Sequence, residues 1–196
     1  MLQPVRAAAL AAALLALAGC GEERPWNTKD VSGLMPELEF ELTRAADGEP
    51  VTEAAWSGKV RVVYFGFTFC PDVCPTTLAK YSQALRAMDP ETADAIRVLF
   101  ISVDPERDTL ERLDQYASAF GERFVGLRGE IPYLRDLTKR YRVTFGYGEP
   151  DDSGYYNVSH SSAAFVFDRD GELRLLTRPD DSIEALRKDL VRLVRE

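Results

Sequence analysis

Two cysteines stand four positions apart in Cys70-Pro71-Asp72-Val73-Cys74-Pro75, and the chain carries a single histidine, His160. Thiols ligate soft metals, exchange with disulfides, or close a structural bridge. A structural bridge gains most from closing a long loop, and the loop between these two is very short. Prolines at both ends of the segment stiffen it and hold the sulfurs ready. In a helix, residues i and i+4 have Cβ atoms ~5–6 Å apart. A relaxed disulfide prefers ~3.5–4.5 Å. A metal shared by two thiolates tolerates the wider spacing, although a modest backbone shift still permits a disulfide. Two sulfurs alone leave a metal under-coordinated, and His160 is the candidate third ligand. Two thiolates and one imidazole suit Cu(I), and with a further ligand Cu(II). The same set could hold zinc with an open position.

Elements of alternating type must bring these residues together. Leu38-Glu39-Phe40-Glu41-Leu42 alternates apolar and polar, and Asp47-Gly48 marks a turn, so an N-terminal hairpin is expected. Val60 to Phe69 reads as a buried strand that runs straight into Cys70. Leu78, Tyr81, Leu85 and Met88 then repeat at helical spacing, with Pro75 suited to the first helical position. The strand–helix junction puts both thiols near unsatisfied N–H groups and a positive dipole end, which favour thiolate. Ile96 to Val103 reads as a second buried strand. A helix follows from Thr109 to Phe120, with Asp108 and Glu111 in a capping-box arrangement. Phe124–Leu127 reads as a strand and Ile131–Tyr141 as a helix. Residues 145–157, rich in Gly, Asp, Pro and Tyr, read as a loop. Ala163–Phe167 and Leu173–Thr177 flank the turn Asp168-Arg169-Asp170-Gly171 as a hairpin. An amphipathic helix closes the chain from Ser182 to Val194.

That order predicts an α/β, thioredoxin-like fold with an added N-terminal β-hairpin. In such a fold the loop before the Ala163 strand faces the strand–helix junction. General dithiol oxidoreductases place a cis-proline there. Here the residues are Ser159-His160-Ser161, which removes a substrate-docking feature and supplies a ligand opposite the thiols.

The first residues carry one charge, Arg6, before an apolar run from Ala7 to Ala18. The run is short for a membrane span and reads as the core of a secretory signal. It ends in Leu17-Ala18-Gly19-Cys20, which resembles a bacterial lipobox, so Cys20 is the expected lipidation site. The organisation expected is a lipoprotein signal peptide over 1–19, a tether over 20–36 and the thioredoxin-like domain over 37–196. A lipid anchor leaves the domain attached to a membrane rather than spanning it. The location expected is therefore extracytoplasmic, facing the periplasm, where two unprotected neighbouring thiols tend to oxidise. The redox-active disulfide would be Cys70–Cys74. Lys and Arg number 24 against 32 for Asp and Glu. That balance disfavours a nucleic-acid partner, which needs a basic patch.

Three separated segments resemble the core motifs of the Sco/SenC family: Phe65 to Pro75, Ser102 to Thr109, and Tyr156 to Ser161. The likeness runs from about residue 35 to the C-terminus. It implies copper delivery to cytochrome c oxidase, chiefly to the dinuclear site of subunit II, with Cys70, Cys74 and His160 as copper ligands. Some members also reduce the cysteines of that site. The implied partners are subunit II and, upstream, another periplasmic copper chaperone or a thioredoxin-like reductant. Catalytic residues in the ordinary sense are not expected. A thiol-disulfide oxidoreductase without metal delivery is the alternative. Many members have a histidine directly before the first cysteine, and this chain has Phe69.

Asp104 is the next candidate, as an acid behind the ligands, as a partner contact, or simply as the strand-end turn before Pro105. Asp72, between the thiols, could repel or orient a cationic partner, or be an idle loop carboxylate. Asp108 reads as a helix cap alone. Tyr155-Tyr156 and the acidic stretch 149–152 read as a mobile loop that brings in His160 when copper binds.

Overall fold

A computed structural model describes residues 25–152 and 154–196. The signal segment and Cys20 lie outside the described residues. In chain order the elements are β1 (Lys29–Asp30), β2 (Glu41–Arg44), β3 (Pro50–Thr52), a 3₁₀ turn (Glu53–Trp56), β4 (Val60–Gly66), α1 (Val73–Arg86), α2 (Pro90–Asp94), β5 (Ile96–Ser102), α3 (Leu110–Ser118), β6 (Phe124–Arg128), α4 (Ile131–Arg140), β7 (Phe145–Tyr147), β8 (Val158–His160), β9 (Ala164–Phe167), β10 (Leu173–Thr177) and α5 (Ile183–Arg195). Eight strands form one sheet in the order β1-β10-β9-β4-β5-β6-β2-β3, and β7 with β8 forms a separate ribbon.

The sheet's middle follows from composition. Every residue of β4 is buried, and β5 is buried except at one half-buried position. Such runs suit strands covered on both faces. β4 and β5 pair in parallel from Val60↔Ile96 to Gly66↔Ser102, with helices in the crossover. β6 adds in parallel to β5, and β9 adds antiparallel on the other side of β4, with Tyr64 opposite Ala164. The β9–β10 hairpin turns on the Asp168 carboxylate, which accepts from the N–H groups of Asp170, Gly171 and Glu172. Gly171 takes a positive φ of 99°, which L side chains rarely adopt. This is the expected thioredoxin-like plan with the N-terminal hairpin, β2–β3, joined to the outer edge of β6.

Several boundaries differ from the sequence expectation. Leu38, Phe40 and Leu42 are buried and Glu39 and Glu41 between them exposed, yet the ladder begins only at Glu41. Leu38 instead gives its N–H to the Gly171 carbonyl. β4 stops at Gly66 rather than Phe69, and its register with β5 ends at Gly66↔Ser102. α1 begins at Val73, two residues before Pro75. A proline remains harmless there, since the first helical N–H groups have no intrahelical acceptor. α3 is capped by Thr109, whose hydroxyl accepts from the Arg112 N–H at 3.3 Å, and not by Asp108.

The segment read as a tether is structured over its second half. β1 pairs with β10 through Lys29↔Leu176 and Asp30↔Leu175. Just ahead of it, the buried Asp189 carboxylate on α5 accepts from the backbone N–H and side-chain amide of Asn27 and from the N–H and hydroxyl of Thr28, at 2.6–3.1 Å. A buried carboxylate needs that many donors. In the sequence Asp189 looks like one more charge on an amphipathic helix. Among the described residues no helix is long and apolar enough to cross a membrane.

Candidate metal centre

β4 delivers the chain to Gly66 at the C-terminal end of a central strand. Phe67, Thr68 and Phe69 then lead into Cys70, and α1 starts three residues later. Gly66 is required here by close approach: a Cβ would lie 3.0 Å from Cys74 Sγ and 2.6 Å from Phe100 Cε2. Cys70 lies just ahead of the helix, and its Sγ accepts from the Cys74 N–H at 3.4 Å. The helix N-terminus thus points at the first sulfur, as the strand–helix junction predicts. Cys74 is inside the first turn and fully buried. Its thiol is pushed well above the ordinary range, chiefly by burial, and the nearby Cys70 adds to this while a Phe67 backbone hydrogen bond opposes it. At Cys74, desolvation therefore outweighs the helix N-terminus, a correction to the expectation that both thiols are favoured as thiolates. Displacing that proton is part of the cost of binding a metal there.

His160 arrives on the other side. It closes β8, opposite Phe145 of β7. The expected loop over 145–157 is corrected accordingly: 145–147 is a strand, and His160 is itself a ladder residue. Its Nε2 lies 3.3 Å from Cys74 Sγ. Its Nδ1 lies 2.8 Å from the Ser161 carbonyl, an acceptor only, so Nδ1 carries the proton and Nε2 presents a lone pair to the sulfur. Burial lowers the imidazole's pKa, the Ser161 and Phe65 backbones pulling the other way, and a neutral ring is the ligating form. The rings of Phe67 and Tyr64 meet His160 edge-on at 5.6 and 6.1 Å. Cys70 Sγ, Cys74 Sγ and a His160 ring nitrogen all lie within 4.8 Å of one another. Both cysteines are free thiols. The donor set is soft and partly imidazole, which fits copper and leaves a coordination position open.

The other candidates fall elsewhere. Asp72 is exposed, and its carboxylate receives the Thr76 hydroxyl at 3.3 Å. Asp104 is fully buried and turned inward. It accepts from Arg107 Nε and, at 2.8 Å, from the Tyr156 hydroxyl. Arg107 in turn donates to the Tyr156 carbonyl at 3.0 Å and lies 3.8 Å from that ring's centroid. Asp104 thereby fastens the segment entering β8. Phe69 stands exposed in front of this cluster, 5.1 Å from the Arg107 guanidinium and 4.5 Å from that of Arg112.

Asp108 has a different role from the one its spacing suggested. It is fully buried, and its carboxylate accepts from the Thr68 N–H, the Thr68 hydroxyl at 2.6 Å and the Ser102 hydroxyl at 2.6 Å. It ties the segment before Cys70 to the end of β5. Burial raises its pKa, partly offset by those hydroxyls. Thr109 beside it takes the capping position instead. Tyr147 and Tyr156, which brace the β7–β8 ribbon through the Val103 carbonyl and Asp104, carried no signal beyond composition.

A thioredoxin-like sheet with two thiols at the β4–α1 junction and an imidazole opposite defines a class of metal- or disulfide-handling domains. The chain belongs to the SCO1/SenC family, whose model matches residues 34–195. It is similar to ScoI of Bradyrhizobium japonicum solved with copper bound, with TM-score 0.72 and 36% identity over 80% of this chain and 98% of that one. It is also similar to apo Sco1 of Thermus thermophilus, with TM-score 0.76 and 34% identity, over 88% of this chain and 99% of that one. The mitochondrial SCO1 homolog 1 of Arabidopsis thaliana is 32% identical over 80% of this chain. The chain spans about half the length of that relative, 46%.

Proposed function

We propose that this protein carries copper for cytochrome c oxidase assembly. It would bind one copper ion as cargo through Cys70, Cys74 and His160 and pass it to the dinuclear copper site of subunit II. The observation that carries the reading is the convergence of two sulfurs and one imidazole nitrogen within 4.8 Å. ScoI, with its bound copper and 36% identity, supports the choice of metal. Cu(I) is the simplest fit, because two thiolates and an imidazole satisfy a soft three-coordinate ion, and Cu(II) would take a further ligand.

The three ligands differ in access. Cys74 is sealed, Cys70 is 8% exposed and His160 is half-buried. A recipient's ligands would reach copper from the Cys70 and His160 side, with Cys74 released last. Cys20 would carry a lipid, holding the domain at the extracytoplasmic face of a membrane.

Incubating the copper-loaded domain with the copper-free soluble domain of subunit II tests the reading. The recipient's dinuclear-site absorption is expected to appear as copper leaves the donor. Copper that stays on the donor at equilibrium would count against delivery.

A second reading rests on the two free, adjacent thiols. They could give two electrons and two protons to a disulfide at the recipient site, becoming a disulfide themselves. Adding the metal-free dithiol to an oxidised recipient would then yield two recipient thiols for each Cys70–Cys74 pair lost.

A further inference from the structure

Among the described residues, five buried side-chain polar atoms make no hydrogen bond, and three of them are hydroxyls around Cys74: those of Tyr64, Thr77 and Tyr116. Tyr64 is on β4, two residues before Gly66, and is fully buried. Its polar neighbours are Cys74, Thr77 and Cys70. Thr77 sits one turn after Cys74 on α1. Tyr116, on α3, has Cys74 and Cys70 among its electrostatic neighbours. The Tyr64 and Tyr116 rings flank Phe100 at 6.2 and 5.3 Å. Tyr64 also meets the His160 ring, so one side chain backs two of the three candidate ligands.

Buried hydroxyls are ordinarily paired, and each exception needs a reason. A neutral thiol is a weak acceptor, so a hydroxyl facing it gains little. A thiolate accepts a charge-assisted hydrogen bond. Copper binding expels the thiol proton to solvent and leaves a metal-bound thiolate at Cys74. We infer that the Tyr64 hydroxyl is a positioning donor held for the Cys74 sulfur in its copper-bound form, with Thr77 as the neighbour that orients it. The arrangement is unsatisfied until the cargo arrives and satisfied once it is bound. This inference rests on the copper-carrying reading.

The sign of the effect separates this role from a structural one. Tyr64→Phe removes a hydroxyl that has no partner in the metal-free core, so metal-free thermal stability stays equal or rises. Cu(I) affinity falls by about tenfold, the scale of one hydrogen bond to a charged group. The Cu(II) complex shows its thiolate-to-copper band at lower energy, because the sulfur has lost a donor.

The experiment titrates the native domain and Tyr64→Phe with Cu(I) against a competing chelator, records the Cu(II) spectrum of each, and compares their metal-free melting. Weaker Cu(I) binding and a shifted band, with melting unchanged or raised, support the inference. Equal affinity and an unshifted band overturn it, whatever the melting does. Failure of the native domain itself to bind copper would overturn the copper reading and this inference together. If Tyr64→Phe does not fold, Thr77→Val replaces it: a shifted band supports the inference and an unshifted one overturns it.

Discussion

His160 Nε2 stands 3.3 Å from Cys74 Sγ while the same ring's Nδ1 donates to the Ser161 carbonyl at 2.8 Å. One hydrogen bond thereby selects the tautomer whose free lone pair faces the sulfur. The ring is held neutral by burial, below the ordinary histidine range.

A pH dependence follows. The folded pKa is lowered, so the unfolded chain takes the proton first as pH falls. Stability is fully present above the unfolded value of about 6.5 and is lost as pH falls from there through the folded value. His160 is the chain's one histidine, so no other imidazole contributes. The urea midpoint of the metal-free domain is expected to drop between pH 7.5 and 5.5, and the His160→Gln profile to be flatter. Parallel profiles for the two proteins would contradict the assignment.

Asp104 is expected to matter for the ribbon and not for ligation. Removing one partner of a buried pair costs ~3–5 kcal/mol, because the other charge is left uncompensated. Asp104→Ala should lower stability on that scale and speed amide exchange over 156–160. It strands Arg107, whose side chain is only 15% exposed. Native exchange rates in that segment would show that Asp104 is no anchor.

Gly66→Ala places a methyl group against Phe100 and the Cys74 sulfur. Overpacking of this kind costs ~1–3 kcal/mol. The variant should melt lower and bind Cu(I) more weakly, since β4 is bonded on both sides and the sulfur must move. Native copper affinity in a folded Gly66→Ala domain would mean that the sulfur has room to spare.

Asp108→Ala leaves the Thr68 N–H and the Thr68 and Ser102 hydroxyls without their acceptor, each worth on the order of 1–3 kcal/mol when unpaired and buried. Thr109→Ala removes an exposed cap worth ~0.5–2 kcal/mol. Chemical denaturation should therefore show the larger loss for Asp108→Ala. The reverse order would return Asp108 to a capping role.

The cysteines were legible because their chemistry is written in spacing, and β4 because a doubly covered strand is a continuous apolar run. His160 was legible through its uniqueness and its place in the expected fold. Asp108 was misread because two adjacent residues can cap α3, and only burial distinguishes them. β1 and β7 were missed because strands of two and three residues leave almost no periodicity. The unpaired hydroxyls around Cys74 could not be read at all, since lacking a partner is a property of packing and not of pattern.

The most direct measurement is a Cu(I) titration of the reduced soluble domain against a competing chelator, for the native chain and His160→Ala. One tightly held equivalent is expected in the native domain and weaker binding in the variant, with both folded. Absence of binding above the chelator background, in a native domain whose Cys70–Cys74 pair still oxidises and reduces reversibly, would contradict the metal site and leave the thiol-disulfide reading in its place.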